Sequence, residues 1–161
     1  MRYRFKGMKE YVQKLERLSD PVNTLCAIDK AVNEGSEVVS QYTLNELQAM
    51  PVDNSRPHQG ERRSINELQK RALIKSFGIT PLADYNNFIN RKTGVDYGTN
   101  RLGQPHVVIA RRLENGTSYM PRNPVFSRAS RKARKPCLEA MEKSFNESLE
   151  ALCLNNFKRS K

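Results

Sequence analysis

Gly103-Gln-Pro-His-Val-Val-Ile-Ala-Arg-Arg-Leu-Glu-Asn-Gly-Thr-Ser118, followed by Met120-Pro-Arg-Asn-Pro-Val-Phe126, is the stretch on which the reading of this chain turns. The spacing predicts a short helix from Val107 to Leu113, with Val107, Ala110 and Leu113 on one side. Gly116 stops it, because glycine accepts the backbone conformations that end helices. The Thr117 and Ser118 hydroxyls are placed to satisfy backbone groups in the turn. Glu114 is expected to pair with Arg111 at i, i+3 or with an arginine of an adjacent subunit. Pro121 and Pro124 pre-set an extended path into the C-terminal third of the chain.

A long helix is expected there. Val125, Ala129, Ala133, Cys137, Met141, Phe145, Leu149 and Leu152 recur on one helical face as far as about residue 155. Pro136 interrupts the series, and an interior proline predicts a kink or break there. Residues 156–161 read as a polar tail.

Upstream, a second long helix starts at Asp20-Pro21, a capping residue followed by a first-turn proline, and ends at Pro51. Leu25, Ile28, Val32, Val39, Tyr42, Leu47 and Met50 are its expected inward face, with Gly35 inside marking a bend or a close crossing. Residues 2–6 alternate as a strand would, and Met8, Tyr11, Val12, Leu15 and Leu18 come next at helical spacing. Residues 51–61 read as a loop. Ser64 with Glu67 suggests a capping box opening a helix that turns Ile65, Leu68, Ala72 and Leu73 inward. Phe77–Tyr85 and Phe88–Tyr97, separated by a turn at 85–87, read as a β-hairpin. Together these elements predict a single α+β domain over 1–161. A small antiparallel sheet, made of the N-terminal strand and the central hairpin, packs with two long helices.

The charge of +11 comes from 28 basic and 17 acidic residues, unevenly placed. Residues 20–54 carry 1 basic and 6 acidic groups, and 97–138 carry 9 and 1. Five cations, Arg128, Arg131, Lys132, Arg134 and Lys135, fall within eight positions. They suit either phosphate contact or pairing with an acidic neighbour such as the 29–46 helix. Phe126 is the sole aromatic nearby, so no base-stacking platform is evident.

Catalytic chemistry is not expected. His58 and His106 sit in proline-flanked loops without metal-ligand spacing around them. There is no Gly-x-Ser-x-Gly elbow and no phosphate-cradling loop. Neither a cofactor nor a metal is implied. Cys26, Cys137 and Cys153 are read as small buried hydrophobes in a reducing compartment. No apolar run approaches the roughly 20 residues of a membrane span. The first six residues lack a signal-type hydrophobic stretch, so synthesis and use in a cytosol are expected.

The 103–126 segment resembles the hallmark of the gene-product-ten-like tail-component family of long-tailed bacteriophages. That pattern is an Ile-Ala-Arg helix, a Glu-x-Gly-Thr turn, a bridge, and a proline–phenylalanine entry to a long C-terminal helix. Ile109, Ala110, Arg111, Glu114, Gly116, Thr117 and Pro124 fall on it, while Phe126 is displaced by Val125, which predicts a shifted entry register for the last helix. Arg4–Met8, Phe77–Pro81 and Asn87–Gly94 are similar to other parts of the family pattern.

The resemblance implies a virion structural subunit that completes the tail and joins it to the neck, assembled in the host cytoplasm. It implies a homo-oligomeric ring, six-fold by expectation. Its neighbours would be the neck connector or stopper, the tail terminator or tail-tube proteins, and passing genomic DNA, with no membrane. It carries no active site. The competing reading is a soluble, non-sequence-specific nucleic-acid-binding protein using the basic 122–135 segment.

Overall fold

The computed structural model describes Glu16 and residues 20–54, 64–80, 83–85 and 88–154. Apart from Glu16, which is helical, the N-terminal strand and helix read at 2–18, as well as His58 and the 156–161 tail, lie outside the described residues.

The first long helix, α1, spans Pro21–Ala49. Asp20 caps it as expected. Its Oδ1 accepts from Val22 N at 3.0 Å and its Oδ2 from Asn23 Nδ2 at 3.1 Å. The second, α4, spans Val125–Leu154. Each is about 45 Å long at about 1.5 Å per residue. They run antiparallel, because Glu46 meets Arg128 and Lys132 while Gly35 meets Cys137 and Met141. α4 runs through Pro136 without a break. Ala129 and Ala133 before the proline are fully buried, and Cys137 and Met141 after it seat against α1. Packing on both sides offsets the one lost hydrogen bond.

The buried face of α1 differs from the expected one. Ala27, Ala31, Gly35, Ser36, Thr43 and Leu47 are buried. Ile28, Val32, Val39 and Tyr42 are half-buried flanks, and Leu25 is exposed. Small residues at i, i+4, i+8 let the α4 backbone approach closely, and the larger side chains are pushed to the edges of the contact.

The core sits where the C-terminal end of α1, the N-terminal end of α4 and two short helices converge. These short helices are α2, Glu67–Ser76, and α3, His106–Asn115. Leu47, Met50, Ile65, Leu73, Ile109, Leu113, Met120 and Val125 form that core. α2 starts two residues later than Ser64 suggests. Asn66 is its cap, in a reciprocal box with Gln69. Ser64 Oγ instead donates to Pro51 O at 2.8 Å, tying the loop to the end of α1. Leu68 therefore points outward, and Leu73 takes the core position.

Between α2 and α3 lie β1 (Phe77–Ile79), β2 (Ala83–Tyr85), β3 (Phe88–Asn90) and β4 (Thr93–Val95). They nest as one interrupted antiparallel hairpin, with β1 on β4 and β2 on β3. Phe77 faces Val95 and Ile79 faces Thr93, whereas Ala83 faces Asn90. The register steps by one residue between the two ladders. The second arm ends at Val95, leaving Tyr97 exposed. The fold is thus α+β, with two long helices and small antiparallel pairing.

Candidate functional site

The 103–126 segment forms a joint between α3 and α4. His106, Ile109 and Leu113 are the buried face of α3, while Val107 and Val108 are exposed and Ala110 is half-buried, so the inward stripe differs from the one expected at Val107. α3 stops at Gly116, whose N–H donates to Arg112 O at 2.8 Å with φ 76°. Thr117 and Met120 close the turn through Thr117 N to Met120 O at 2.8 Å. Thr117 Oγ1 accepts from Tyr119 N and Met120 N at 3.3 and 3.1 Å. The chain returns past α3, where Asn123 N donates to Leu113 O at 2.9 Å. Pro121 is exposed and Pro124 half-buried on that return path.

Glu114 does not pair with Arg111. Its carboxylate accepts from Phe126 N at 3.1 Å and Ser127 N at 3.0 Å, and from the Ser127 hydroxyl. It therefore caps α4 from outside, satisfying two of the backbone donors that a helix start leaves unpaired and placing negative charge at its positive end. Arg122 Nε donates to Glu114 O at 3.0 Å, adding a second tie. Arg111 is exposed and has no ion pair among the described residues. The Val125-Phe126 order also has a physical reason. Val125 is fully buried in the core, and the Phe126 ring stacks on Phe77 of β1 at 6.2 Å.

We expect Glu114→Ala to lower stability by about 2 kcal/mol, the sum of a lost cap and a lost charge-assisted hydrogen bond. Urea unfolding followed by circular dichroism measures it. The midpoint should fall at unchanged slope, and Glu114→Gln should recover part of the loss. Equal losses in both variants would contradict the capping role.

The five clustered cations divide. Arg128 Nε lies 2.6 Å from Glu46 Oε2 and Lys132 Nζ 2.5 Å from Glu46 Oε1. Arg128 Nη2 also donates to Asn123 Oδ1 at 3.1 Å. The hydrogen bond from Lys132, then that from Arg128, holds the Glu46 carboxyl below the usual carboxylate range. Lys135 makes a loose, exposed pair with Glu139 at 3.8 Å. Arg131 and Arg134 are exposed and have no ion-pair partner among the described residues. The acidic and basic segments thus meet inside one subunit at Glu46, and only part of the cluster is left to face outward.

One pairing has no signal in the spacing. His106 opens α3, is buried, and its Nδ1 lies 2.5 Å from Asp96 Oδ1. The hydrogen bond from His106 lowers the Asp96 carboxyl pKa. The His106 backbone N–H donates to Gly98 O at 2.9 Å. Between these anchors the 98–105 loop winds around Asn100, whose Oδ1 accepts from Leu102 N and Gln104 N, each at 2.9 Å. His106 is therefore a fixed post of this loop. It borders an open hollow of about 510 Å³, lined by Leu68, Ala72, Lys75, Arg101 and Leu102.

Cys26 is exposed and Cys137 half-buried, so the expectation of buried cysteines fails for Cys26. Burial raises the Cys137 thiol pKa. Among the described residues, no group of three or more His, Cys, Asp or Glu is placed to hold a metal ion. No described helix is long and apolar enough to cross a membrane.

Fold and joint define an α+β scaffold in which an antiparallel pair of long helices is fixed at one end by a capped helix–turn–helix corner. Comparison with protein-family models, with curated proteins and with solved structures returned no match to this chain.

Proposed function

We propose that this chain is a structural subunit of a bacteriophage particle, set at the head–tail junction, where it completes the tail and joins it to the neck connector. The resemblance of residues 103–126 supports the reading, as does the use of that segment as a mechanical corner. The observation that carries the ring arrangement is a pair of unlike exposed apolar patches. One is Val22 and Leu25, at the start of α1; the other is Leu68 and Leu102, beside the core. Val22 lies about 38 Å along the α1 axis from Leu47 at the core end. Rigid, unlike and widely separated patches favour head-to-tail contacts, which close into rings when the rotation allows. The proposed ring is six-fold, against a neck connector or stopper on one side and tail-terminator or tail-tube proteins on the other.

Arg131 and Arg134 keep the nucleic-acid reading in play, because their charges are uncompensated within the described residues. The two readings separate cleanly. We expect the chain to be present in purified particles, and Arg131→Glu with Lys135→Glu to leave heads full of DNA but unjoined to tails. A monomer absent from particles that binds duplex DNA, with affinity falling steeply as salt rises, would sink the structural reading in favour of the nucleic-acid one.

A further inference from the structure

We infer that the hollow beside the core receives the first turns of α1 from a second copy of this chain, an inference that rests on the ring reading above. The hollow has an apolar floor and a rim of Arg71, Lys75 and Arg101, with Asp96, held by His106, as the carboxylate in its lining. Leu68 and Leu102 are 57% and 63% exposed, and Ala72 lies between the rim residues of α2. Lys75 and Arg101 line the same space and have no ion-pair partner among the described residues. Arg71 also lines it, but its charge is met by Glu67 at 2.8 Å. The hollow is preformed. Asn100 ties the Leu102 backbone and the His106–Asp96 pair anchors the end of the loop, so the loop backbone needs little further ordering on binding.

The complementary surface lies at the far end of α1. Val22 and Leu25 are 65% and 49% exposed, one turn apart, which is how a helix presents anchors to a groove. Residues 20–37 carry 4 acidic groups and 1 basic one. An apolar pair on an acidic helix fits an apolar floor with a basic rim. Both halves stand on the same chain, too far apart to meet within it. A contact of this kind pairs unlike surfaces; made head to tail, it leaves each copy one free half, and the chain of contacts continues around a ring. Like charges would meet if two hollows or two helix starts faced each other, which disfavours pairing through either patch alone.

The molecule supplies its own reporter. Cys26 is exposed and lies one turn after Val22 on α1. In full-length protein carrying Cys137→Ser and Cys153→Ser, we expect Leu102→Cys to give a disulfide-linked ladder on denaturing gels after mild oxidation. Adding Cys26→Ser should abolish the ladder. Lys75→Glu with Arg101→Glu should weaken association at least about tenfold. Cross-linking through Cys26 that stops at dimers overturns the ring, the contact then being reciprocal between two copies; cross-linking that survives Cys26→Ser overturns the contact. So does absence of a ladder in a sample that sedimentation shows to be oligomeric, which leaves the ring reading standing. Protein that stays monomeric at every concentration and is absent from particles removes both.

Discussion

Gly116→Ala is expected to cost about 3 kcal/mol, a large share of the roughly 5–15 kcal/mol by which domains of this size are usually stable. Two effects act together. Gly116 has φ 76° and ψ 178°, a region that is open essentially to glycine alone. Forcing an L-residue into it costs on the order of 1–3 kcal/mol. A Cβ there would also lie 2.9 Å from Arg122 N, 3.1 Å from Met120 O and 3.2 Å from Arg122 Cα. All three are backbone atoms, so no side chain can swing aside. Relief requires the return strand to move, and that strand carries Asn123 N to Leu113 O as well as the approach of Phe126 and Ser127 to Glu114. Asparagine, often accepted at positive φ, should not rescue, because ψ near 180° is far from the left-handed helical region. Gly103 is the control. Its φ is 72°, but a Cβ there meets nothing within 4 Å. Gly103→Ala should therefore cost about 1 kcal/mol, backbone strain without obstruction. Denaturant midpoints measured on both variants decide the matter. Equal losses would mean that the Gly116 corner is not sterically closed.

The same corner shows what a linear reading can and cannot find. Gly116 as a stop, Asp20 as a cap and Pro51 as an end are local signals, each set by the conformational limits of one or two residues. They are legible for that reason. Glu114 also reads locally, as an i, i+3 partner of Arg111, and there the reading fails. Its partners are the amides of residues 126 and 127, reachable only after the chain has reversed direction. The His106–Asp96 pair is hidden in the same way, by the loop between them. Apolar periodicity finds α1 and α4 but misplaces the inward face of α1. It ranks Leu25 and Ile28 above Ala27 and Ala31, whereas a close helix crossing selects the smallest side chains. Periodicity alone also turns Leu68 and Val107 inward. In the fold, α2 begins two residues after its first capping signal, and α3 turns His106 and Ile109 to the core instead.

That close crossing sets up the second large effect. Gly35→Val is expected to lower stability by about 3 kcal/mol, at the upper end of overpacking losses. A Cβ at Gly35 would stand 2.5 Å from Met141 Cγ, 2.7 Å from Met141 Sδ and 3.1 Å from Cys137 Sγ. These are side-chain atoms, so the obstruction differs in kind from that at Gly116. Methionine is flexible and gives way at modest cost. For Gly35→Ala the displaced Met141 is set against a helix-propensity gain of about 1 kcal/mol, and the net change should be small. Valine adds two methyl groups with a stiff χ1, and these have nowhere to turn between Cys137 and Met141. If the obstruction is Met141, then Met141→Ala made together with Gly35→Val should recover at least about 1 kcal/mol beyond additivity, as contacting residues in a double-mutant cycle do. Additive losses would instead mean that the α4 backbone itself must retreat. The close α1–α4 approach also places Arg128 and Lys132 within reach of Glu46. A retreating α4 would release that carboxylate as well, and Glu46→Gln would then add little to the loss in the Gly35→Val background. In the native background, where both cations hold it, Glu46→Gln should cost measurably more.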